Sequence, residues 1–260
     1  MRIYAVLFKL EQSANIAFQF MKKILHNIHH YLSIKGLAVF LLLPSLMLAQ
    51  TFSTSVLKSS LNNSYGSDAG DLDGDNDIDI VTVGYSPPSI SWLENDGNSN
   101  PSFQDNGGFA YLSYNGATSA KIADLDGDGD NDIIVSMFSS NVILWYENNG
   151  ASDPSFSLNV LGSLASSYQC DAGDLDGDGD VDVMCASSSS NNVGLFINNG
   201  ASDPSFTSSF LPVGMSTSSM RFGDIDGDGD LDASTSHHTN YKVMWLRNNG
   251  SSSFTAIQAN

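Results

Sequence analysis

The sequence is poor in cysteine, proline and basic side chains. Among its 260 residues there are 2 cysteines, 7 prolines and 10 lysines or arginines. After residue 49 the cysteines are joined by only two histidines, His237 and His238. This is too little sulfur and imidazole for a disulfide-dense scaffold or a Cys/His zinc site. Soft-metal chemistry is therefore not favoured.

The shortage of basic residues leaves a strongly acidic chain. The 29 acidic side chains give a formal net charge of −19. Residues 1–49 hold five of the bases and one of the acids, so residues 50–260 carry 28 acids and 5 bases, or −23. Such a surface repels phosphate backbones and anionic membranes, so we expect no nucleic acid among the partners. Apolar residues make up 41% of the chain, too many for a disordered acidic tail.

The N-terminal segment has the layout of an export signal. Translation from Met21 would give a basic start, followed by an apolar run over 36–49 that contains Pro44. This run is shorter than the ~20 residues of a membrane span. We interpret residues 1–49 as an N-terminal extension and a secretory signal peptide cleaved after Ala49, with a single membrane anchor as the alternative. We therefore expect a secreted, extracellular or cell-surface protein, the periplasm being possible, with no membrane span in the mature chain.

Residues 50–260 contain a fourfold internal repeat. Four acidic segments begin 53, 50 and 50 residues apart, at Asp71, Asp124, Asp174 and Asp224. An aromatic marker follows each of them, at Trp92, Trp145, Phe196 and Trp245. A second aromatic marker lies at Phe103, Phe156, Phe206 and Phe254, with a further copy at Phe52. These markers divide the region into units of about 52–103, 104–156, 157–206 and 207–260.

Each unit is predicted to contain four β-strands. In the second unit, residues 119–123 lead into the acidic segment and 133–138 leave it as an apolar strand. A turn separates this strand from 142–147, and Asn149-Gly150 suits a tight hairpin into a fourth strand over 156–161. No sustained helical period occurs after residue 50. Four short strands per ~50 residues predict an all-β fold, a β-propeller built of four-stranded blades.

The acidic segments are predicted to be calcium-binding loops. Carboxylates occupy positions 1, 3, 5, 7 and 9, with glycine at position 4 and, except for Asn76, at position 6. Calcium takes six to eight oxygen ligands, and alternate aspartates on a tight loop can point inward together. We expect about four Ca²⁺ ions, one per loop. The predicted metal residues are Asp71, Asp73, Asp75, Asp77, Asp79, Asp124, Asp126, Asp128, Asp130, Asp132, Asp174, Asp176, Asp178, Asp180, Asp182, Asp224, Asp226, Asp228, Asp230 and Asp232.

The EF-hand is the nearest competing motif, because it shares aspartates at positions 1, 3 and 5 and glycine at position 6. It also requires a bidentate glutamate at position 12 and flanking helices. Position 12 here is occupied by Thr82, Val135, Cys185 and Thr235, inside predicted strands. The EF-hand is therefore rejected.

The loops and the apolar strands that follow them resemble the FG-GAP, or VCBS, repeats of the integrin alpha-subunit propeller. The resemblance covers about residues 52–260. It implies calcium ligation by the side chains at loop positions 1, 3, 5 and 9 and by the backbone carbonyl at position 7. The name-giving Phe-Gly pair occurs only at Phe222-Gly223, and the Gly-Ala-Pro element is absent.

The number of blades remains open in the sequence. The integrin propeller has seven blades, whereas this chain has four acidic loops. Phe-strands at both ends, 52–57 and 254–258, are compatible with a piece of a longer array, a closed four-bladed ring or assembly between chains.

Several residues have both structural and functional interpretations. Cys170 and Cys185 would be cross-strand neighbours if Gly173 pairs with Asp182, so they are either a disulfide or two small buried side chains. We expect the tryptophans at positions 92, 145 and 245 to pack in the core instead of stacking on sugars. Tyr146, Glu94 and Glu147 are expected at the rim.

No residue nominates a catalytic site. The aspartates are assigned to metal, no serine stands out, and His237 and His238 are expected at the surface. We therefore expect a non-enzymatic, calcium-binding extracellular scaffold for binding or adhesion, with an unknown protein or polysaccharide as its ligand. A lectin-like propeller and an accessory module of a larger exported enzyme, such as a polysaccharide lyase, are the alternatives.

Overall fold

The computed structural model describes residues 54–58, 63–110, 114–237 and 241–258. Within these ranges the fold is all-β, and its helical content is a single 3-10 turn at Phe138–Ser140. All of the sheets belong to one compact unit, Ser55–Asn260. No helix in the described part of the chain is long and apolar enough to cross a membrane. The predicted signal peptide over residues 1–49 lies outside the described residues.

Sixteen strands in the described ranges form four antiparallel sheets of four strands each. The first sheet contains β1 (Ser64–Gly70), β2 (Asp79–Tyr85), β3 (Pro88–Asn95) and β4 (Phe103–Ala110). The second contains β5 (Ala117–Ala123), β6 (Asp132–Met137), β7 (Val142–Asn148) and β8 (Phe156–Ser163). The third contains β9 (Ser167–Gly173), β10 (Asp182–Ser187), β11 (Asn192–Asn198) and β12 (Phe206–Pro212). The fourth contains β13 (Ser219–Gly223), β14 (Asp232–His237), β15 (Lys242–Asn248) and β16 (Phe254–Gln258).

Every sheet is a meander in which each strand pairs with the next one along the chain. The strands predicted for the second unit are confirmed to within a few residues. Each sheet ends on the strand that starts at the Phe marker, so the repeat boundary falls after that strand and not at its first residue. The expected Phe-strand over 52–57 is not formed in its described part, where residues 54–58 contain no strand. Lys58 instead donates from Nζ to Ser91 Oγ at 2.7 Å.

In the described part of the chain, the sheets pack against one another through three apolar cores. In the first core, Val81 and Trp92 of the first sheet lie in one cluster with Val135 and Tyr146 of the second. Trp92 and Trp145 are each only 4% exposed, which confirms their predicted place in the core, and Trp245 is half-buried. The rim position expected for Tyr146 is wrong, because alternation along β7 turns this ring towards the first sheet.

The register corrects the aromatic marker of the third unit. Trp92, Trp145 and Trp245 lie opposite the third residue of the neighbouring second strand, and in the third sheet that place is taken by Leu195. Phe196 is one residue further along and therefore points to the other face. Its ring fills space left by two glycines, since a Cβ on Gly162 would lie 2.4 Å from the ring and one on Gly194 3.0 Å.

Cys170 and Cys185 are cross-strand partners on β9 and β10 and form a disulfide. The pairing of Gly173 with Asp182 fixes their register, as the sequence predicted. The disulfide is buried, with the two cysteines 2% and 0% exposed. The sequence left two interpretations open, a disulfide or two small buried side chains. The structure contains the disulfide, which lies inside the core between the second and third sheets.

Candidate metal centres

Each acidic loop connects the first and second strands of its sheet. Position 9 is the first residue of the second strand, as in Asp132 of β6. The residues at position 12 lie within β2, β6, β10 and β14, so strands and not helices flank every loop. This arrangement confirms the rejection of the EF-hand.

The aspartate at position 1 closes the loop on itself. Asp124 accepts hydrogen bonds from the backbone N–H of Gly127 at 2.8 Å and of Gly129 at 3.0 Å, one on each carboxylate oxygen. The other three loops repeat both bonds. Positions 4 and 6 have positive φ in every loop, including φ 71° at Asn76, a backbone conformation that glycine and asparagine adopt most readily.

The aspartate at position 9 is buried at the base of the loop. Asp132 is 1% exposed and accepts from the backbone N–H of Leu125 at 3.0 Å and of Asn148 at 2.8 Å. Burial raises the pKa of Asp132 to about 7, against the opposing effect of these two N–H donors. Burial likewise raises the pKa of Asp182 to about 6 and raises that of Asp79. Each carboxylate oxygen has two lone pairs, so these bonds leave capacity for a cation.

Positions 1, 3 and 9 come together in all four loops, with one oxygen from each carboxylate within 4.8 Å of the others. This set of three hard anionic oxygens fits a hard divalent cation such as calcium. The structure groups 12 of the 20 predicted residues in this way, namely Asp71, Asp73, Asp79, Asp124, Asp126, Asp132, Asp174, Asp176, Asp182, Asp224, Asp226 and Asp232. The carboxylates at positions 5 and 7 are outside these groups, which leaves room for position 7 to act through its carbonyl.

The side chain at position 7 has a separate neighbour, the glycine of the hairpin that connects the third and fourth strands of its sheet. A Cβ built on Gly150 would lie 1.8 Å from Asp130 Oδ2, and one on Gly200 would lie 1.9 Å from Asp180 Oδ2. The first loop repeats this contact between Gly97 and Asp77, whereas in the fourth the distance from Gly250 to Asp230 Oδ2 is 3.6 Å. The hairpin glycine is thus required by a close contact with the acidic loop, as well as by its positive φ of 63° at Gly150.

A residue outside the loops distinguishes the four centres. It immediately precedes the asparagine that donates to position 9, and it is Glu94, Glu147, Ile197 or Arg247 in successive sheets. The pKa of Asp73 is raised to about 6 by burial and by neighbouring carboxylates that include Glu94. Burial also raises the pKa of Asp126, and Glu147 adds to this effect. These glutamates therefore act electrostatically on position 3 of the acidic loops, a role that the expected rim position did not include. Their alignment one residue before Asn95 and Asn148 is the signal that would have found them.

Arg247 reverses this charge in the fourth sheet. Its Nε lies 2.7 Å from Asp226 Oδ2, and a terminal guanidinium nitrogen lies 3.6 Å from Asp228 Oδ2. The fourth loop therefore already has a cation against positions 3 and 5. Its donor set fits calcium less well than those of the other three loops.

A second feature is a polar cavity of about 340 Å³ between the first strands of the four sheets. Its lining includes Tyr65, Lys121, Tyr168 and Arg221. Lys121 Nζ lies 3.4 Å from Asp68 and 3.2 Å from Asp171, and so joins three sheets. No local motif in the sequence indicates this cavity, because its residues are about 50 positions apart.

Four aromatic rings form a closed circuit beside this cavity. Tyr65 contacts Tyr85 with ring centroids 5.1 Å apart, and Tyr168 contacts Tyr65 at 6.4 Å. Phe138 completes the circuit, 6.3 Å from Tyr85 and 6.2 Å from Tyr168. Tyr65 remains 52% exposed, so the cluster offers aromatic surface next to polar groups. His238 and the side chain of His237 lie outside the described residues.

Comparison with known families gives one match. A family profile described as FG-GAP-like repeat matches residues 71–135, 124–185 and 174–234. Each matched segment begins at position 1 of one acidic loop and ends in the strand that directly follows the next loop. No curated protein matches the chain.

Proposed function

Because the chain belongs to the FG-GAP-like repeat family, we propose that it is a secreted, calcium-stabilised β-propeller that serves as an extracellular scaffold for binding or adhesion. The observation that carries this proposal is the recurrence of three clustered carboxylates, at positions 1, 3 and 9, in all four loops. Anions held this close repel one another, so a divalent cation would stabilise the folded chain. The proposal includes no catalytic activity.

Calcium would be held by the clustered aspartates, with position 5 and the carbonyl of position 7 as the further ligands that the family resemblance implies. The bound ion would supply positive charge to loops whose carboxylates otherwise accept from backbone N–H groups and, in the fourth loop, pair with Arg247. In this role the aspartate at position 9 anchors the site to the sheet, because both of its oxygens already bind backbone groups at fixed distances.

A propeller arrangement is supported by the way in which the four sheets pack. The first strands follow one another, with β5 packed against β1, β9 against β5 and β13 against β9. These strands also line a common cavity. Such packing is the relation between the inner strands of successive blades.

Export is supported by the disulfide between Cys170 and Cys185. Disulfides persist in oxidising compartments and are rare in the cytosol. The apolar segment that ends at Ala49 provides the corresponding signal in the sequence.

The test is thermal unfolding of the purified protein with excess calcium and with chelator. We expect a large cooperative increase in melting temperature with calcium, since a ligand at ~100 times its dissociation constant adds ~2.7 kcal/mol per site. Asp126→Ala and Asp176→Ala should each reduce the increase. An identical melting curve in both buffers would overturn the structural role of calcium.

A second candidate function is carbohydrate binding, favoured by the aromatic circuit beside the polar cavity. Exposed aromatic faces next to hydrogen-bonding groups are typical of ligand sites. Retention on immobilised polysaccharides, lost in Tyr65→Ala, would support it. Equal retention of the variant would exclude this cavity as the site.

A further inference from the structure

An ion pair lies at the fourth candidate metal centre. Arg247 Nε is 2.7 Å from Asp226 Oδ2, and the guanidinium also reaches Asp228 at 3.6 Å. The Arg247 side chain is 43% exposed, Asp226 20% and Asp228 36%. Asp226 is one of the three clustered carboxylates of its loop. The guanidinium therefore competes for a carboxylate that a metal would use.

Each of the other three sheets has a residue at the position that Arg247 occupies in the fourth sheet. The next residue donates its backbone N–H to the position 9 aspartate at 2.9, 2.8, 2.7 and 2.8 Å in successive sheets. This common bond holds the preceding residue beside the loop. Counting five aspartates and that residue, the formal charge is −6 in the first and second centres, −5 in the third and −4 in the fourth. The fourth centre is thus the least favourable for a divalent cation.

The fourth loop is more exposed than the other three loops at position 2. Leu72, Leu125 and Leu175 at loop position 2 are each 1% exposed, and their carbonyls accept bonds from the asparagine of the following sheet. Their counterpart Ile225 is 51% exposed. Asp224 at position 1 is exposed here as well. A loop held less firmly loses more entropy when it orders around an ion.

We infer that Arg247 is an internal counter-ion that replaces calcium at the fourth loop, so that the chain binds three calcium ions tightly and not four. This inference rests on the proposed calcium binding. The fourth loop is closed by its own arginine, and its ion pair persists when calcium is removed. We expect its calcium affinity to be lower than that of the other centres by about tenfold or more, because ligand charge tunes such sites.

The test is the number of calcium ions bound per chain, measured by calorimetric titration of chelator-treated protein with Ca²⁺ alone. We expect three tight sites in the unmodified protein. Arg247→Glu, which copies the first two centres, should give four, and Arg247→Ile, which copies the third, should also give four. The reciprocal change Glu147→Arg should give two. Circular dichroism of each variant verifies that it is folded.

Variants that each lack one loop aspartate identify the loop that does not bind calcium tightly. Asp126→Ala should lower the number of tight sites to two, whereas Asp226→Ala should leave three. Absence of any calcium binding would overturn the proposed function itself. Four tight sites in the unmodified protein, or three in a folded Glu147→Arg variant, would overturn the inference about Arg247 while leaving calcium binding in place.

Discussion

The side-chain amide of Asn198 lies 2.7 Å from the carbonyl oxygen of Leu125, 73 positions earlier in the chain. The same amide nitrogen donates to Val181 O at 3.1 Å within its own sheet. One buried asparagine thus ties the acidic loop of the second sheet to the β10–β11 hairpin of the third. Asn148 and Asn248 form the same link to Leu72 and Leu175.

Removal of this link should destabilise the protein. Asn198 is 5% exposed, so Asn198→Ala would leave the Leu125 carbonyl buried without its donor, at a cost of ~1–3 kcal/mol. Urea unfolding in calcium-free buffer measures the loss. Asn95→Ala is the matched control, because Asn95 donates to Ile78 O in its own sheet and that bond is exposed. Equal losses in the two variants would refute the special role of the link between sheets.

The contact between Gly150 and Asp130 predicts a steric effect that depends on the sheet. Gly150→Ala should cost ~1–2 kcal/mol for its positive φ and a further amount for the Cβ placed 1.8 Å from Asp130 Oδ2. Gly250→Ala, whose Cβ would be 3.6 Å from Asp230 Oδ2, should show only the backbone cost. Chemical denaturation compares the two. If Asp130→Ala does not relieve the additional loss of Gly150→Ala, the contact is not its cause.

The buried position 9 aspartates predict an unusual pH dependence without calcium. The folded pKa of Asp132 is about 7 and that of Asp182 about 6, both above the ordinary value near ~4. The folded chain therefore binds these protons more tightly than the unfolded chain, and their contribution to stability is full below pH ~4. It is lost as the pH rises through 6 to 7.

Denaturant midpoints at several pH values between 4.5 and 7.5 test this prediction. In calcium-free buffer we expect a decline in stability towards neutral pH, and with saturating calcium a smaller decline or a rise, because the ion requires the deprotonated carboxylates. Asp132→Asn should flatten the calcium-free profile. A calcium-free midpoint that increases steadily with pH would contradict the assignment of raised pKa values.

The buried disulfide should stabilise the chain by restricting its unfolded state. Cys170 and Cys185 are 15 residues apart, and closing a loop of that size is worth ~3 kcal/mol. The double variant Cys170→Ala/Cys185→Ala should lose about this amount in chemical denaturation. Reducing agent should destabilise the unmodified protein and leave the double variant unchanged. A reduced protein as stable as the oxidised one would show that packing alone holds β9 to β10.

Several features could be predicted from the sequence because they are local. The 53-, 50- and 50-residue spacing, the strand patterns and the Asn-Gly hairpins gave the four sheets and the strand pairing of Cys170 with Cys185. The sequence aligned Phe196 with the tryptophans of the other units, whereas Leu195 takes their place in the structure. A shift of one residue along a strand moves a side chain to the opposite face of the sheet. Tyr146 was misplaced for a related reason: both faces of its sheet are buried, so polarity does not show which neighbour it contacts.

By itself the sequence determined the all-β repeat architecture and the identity of the acidic loops, because loop ligands and turn glycines lie within nine residues of one another. The tertiary structure alone decided how these loops differ. Whether a centre faces Glu147 or Arg247 depends on a strand that returns 15 or more residues later beside the loop. Whether a loop is covered, as at Leu125, or open, as at Ile225, depends on packing by the next sheet. Electrostatics and burial act through space, so four nearly identical motifs become unequal sites.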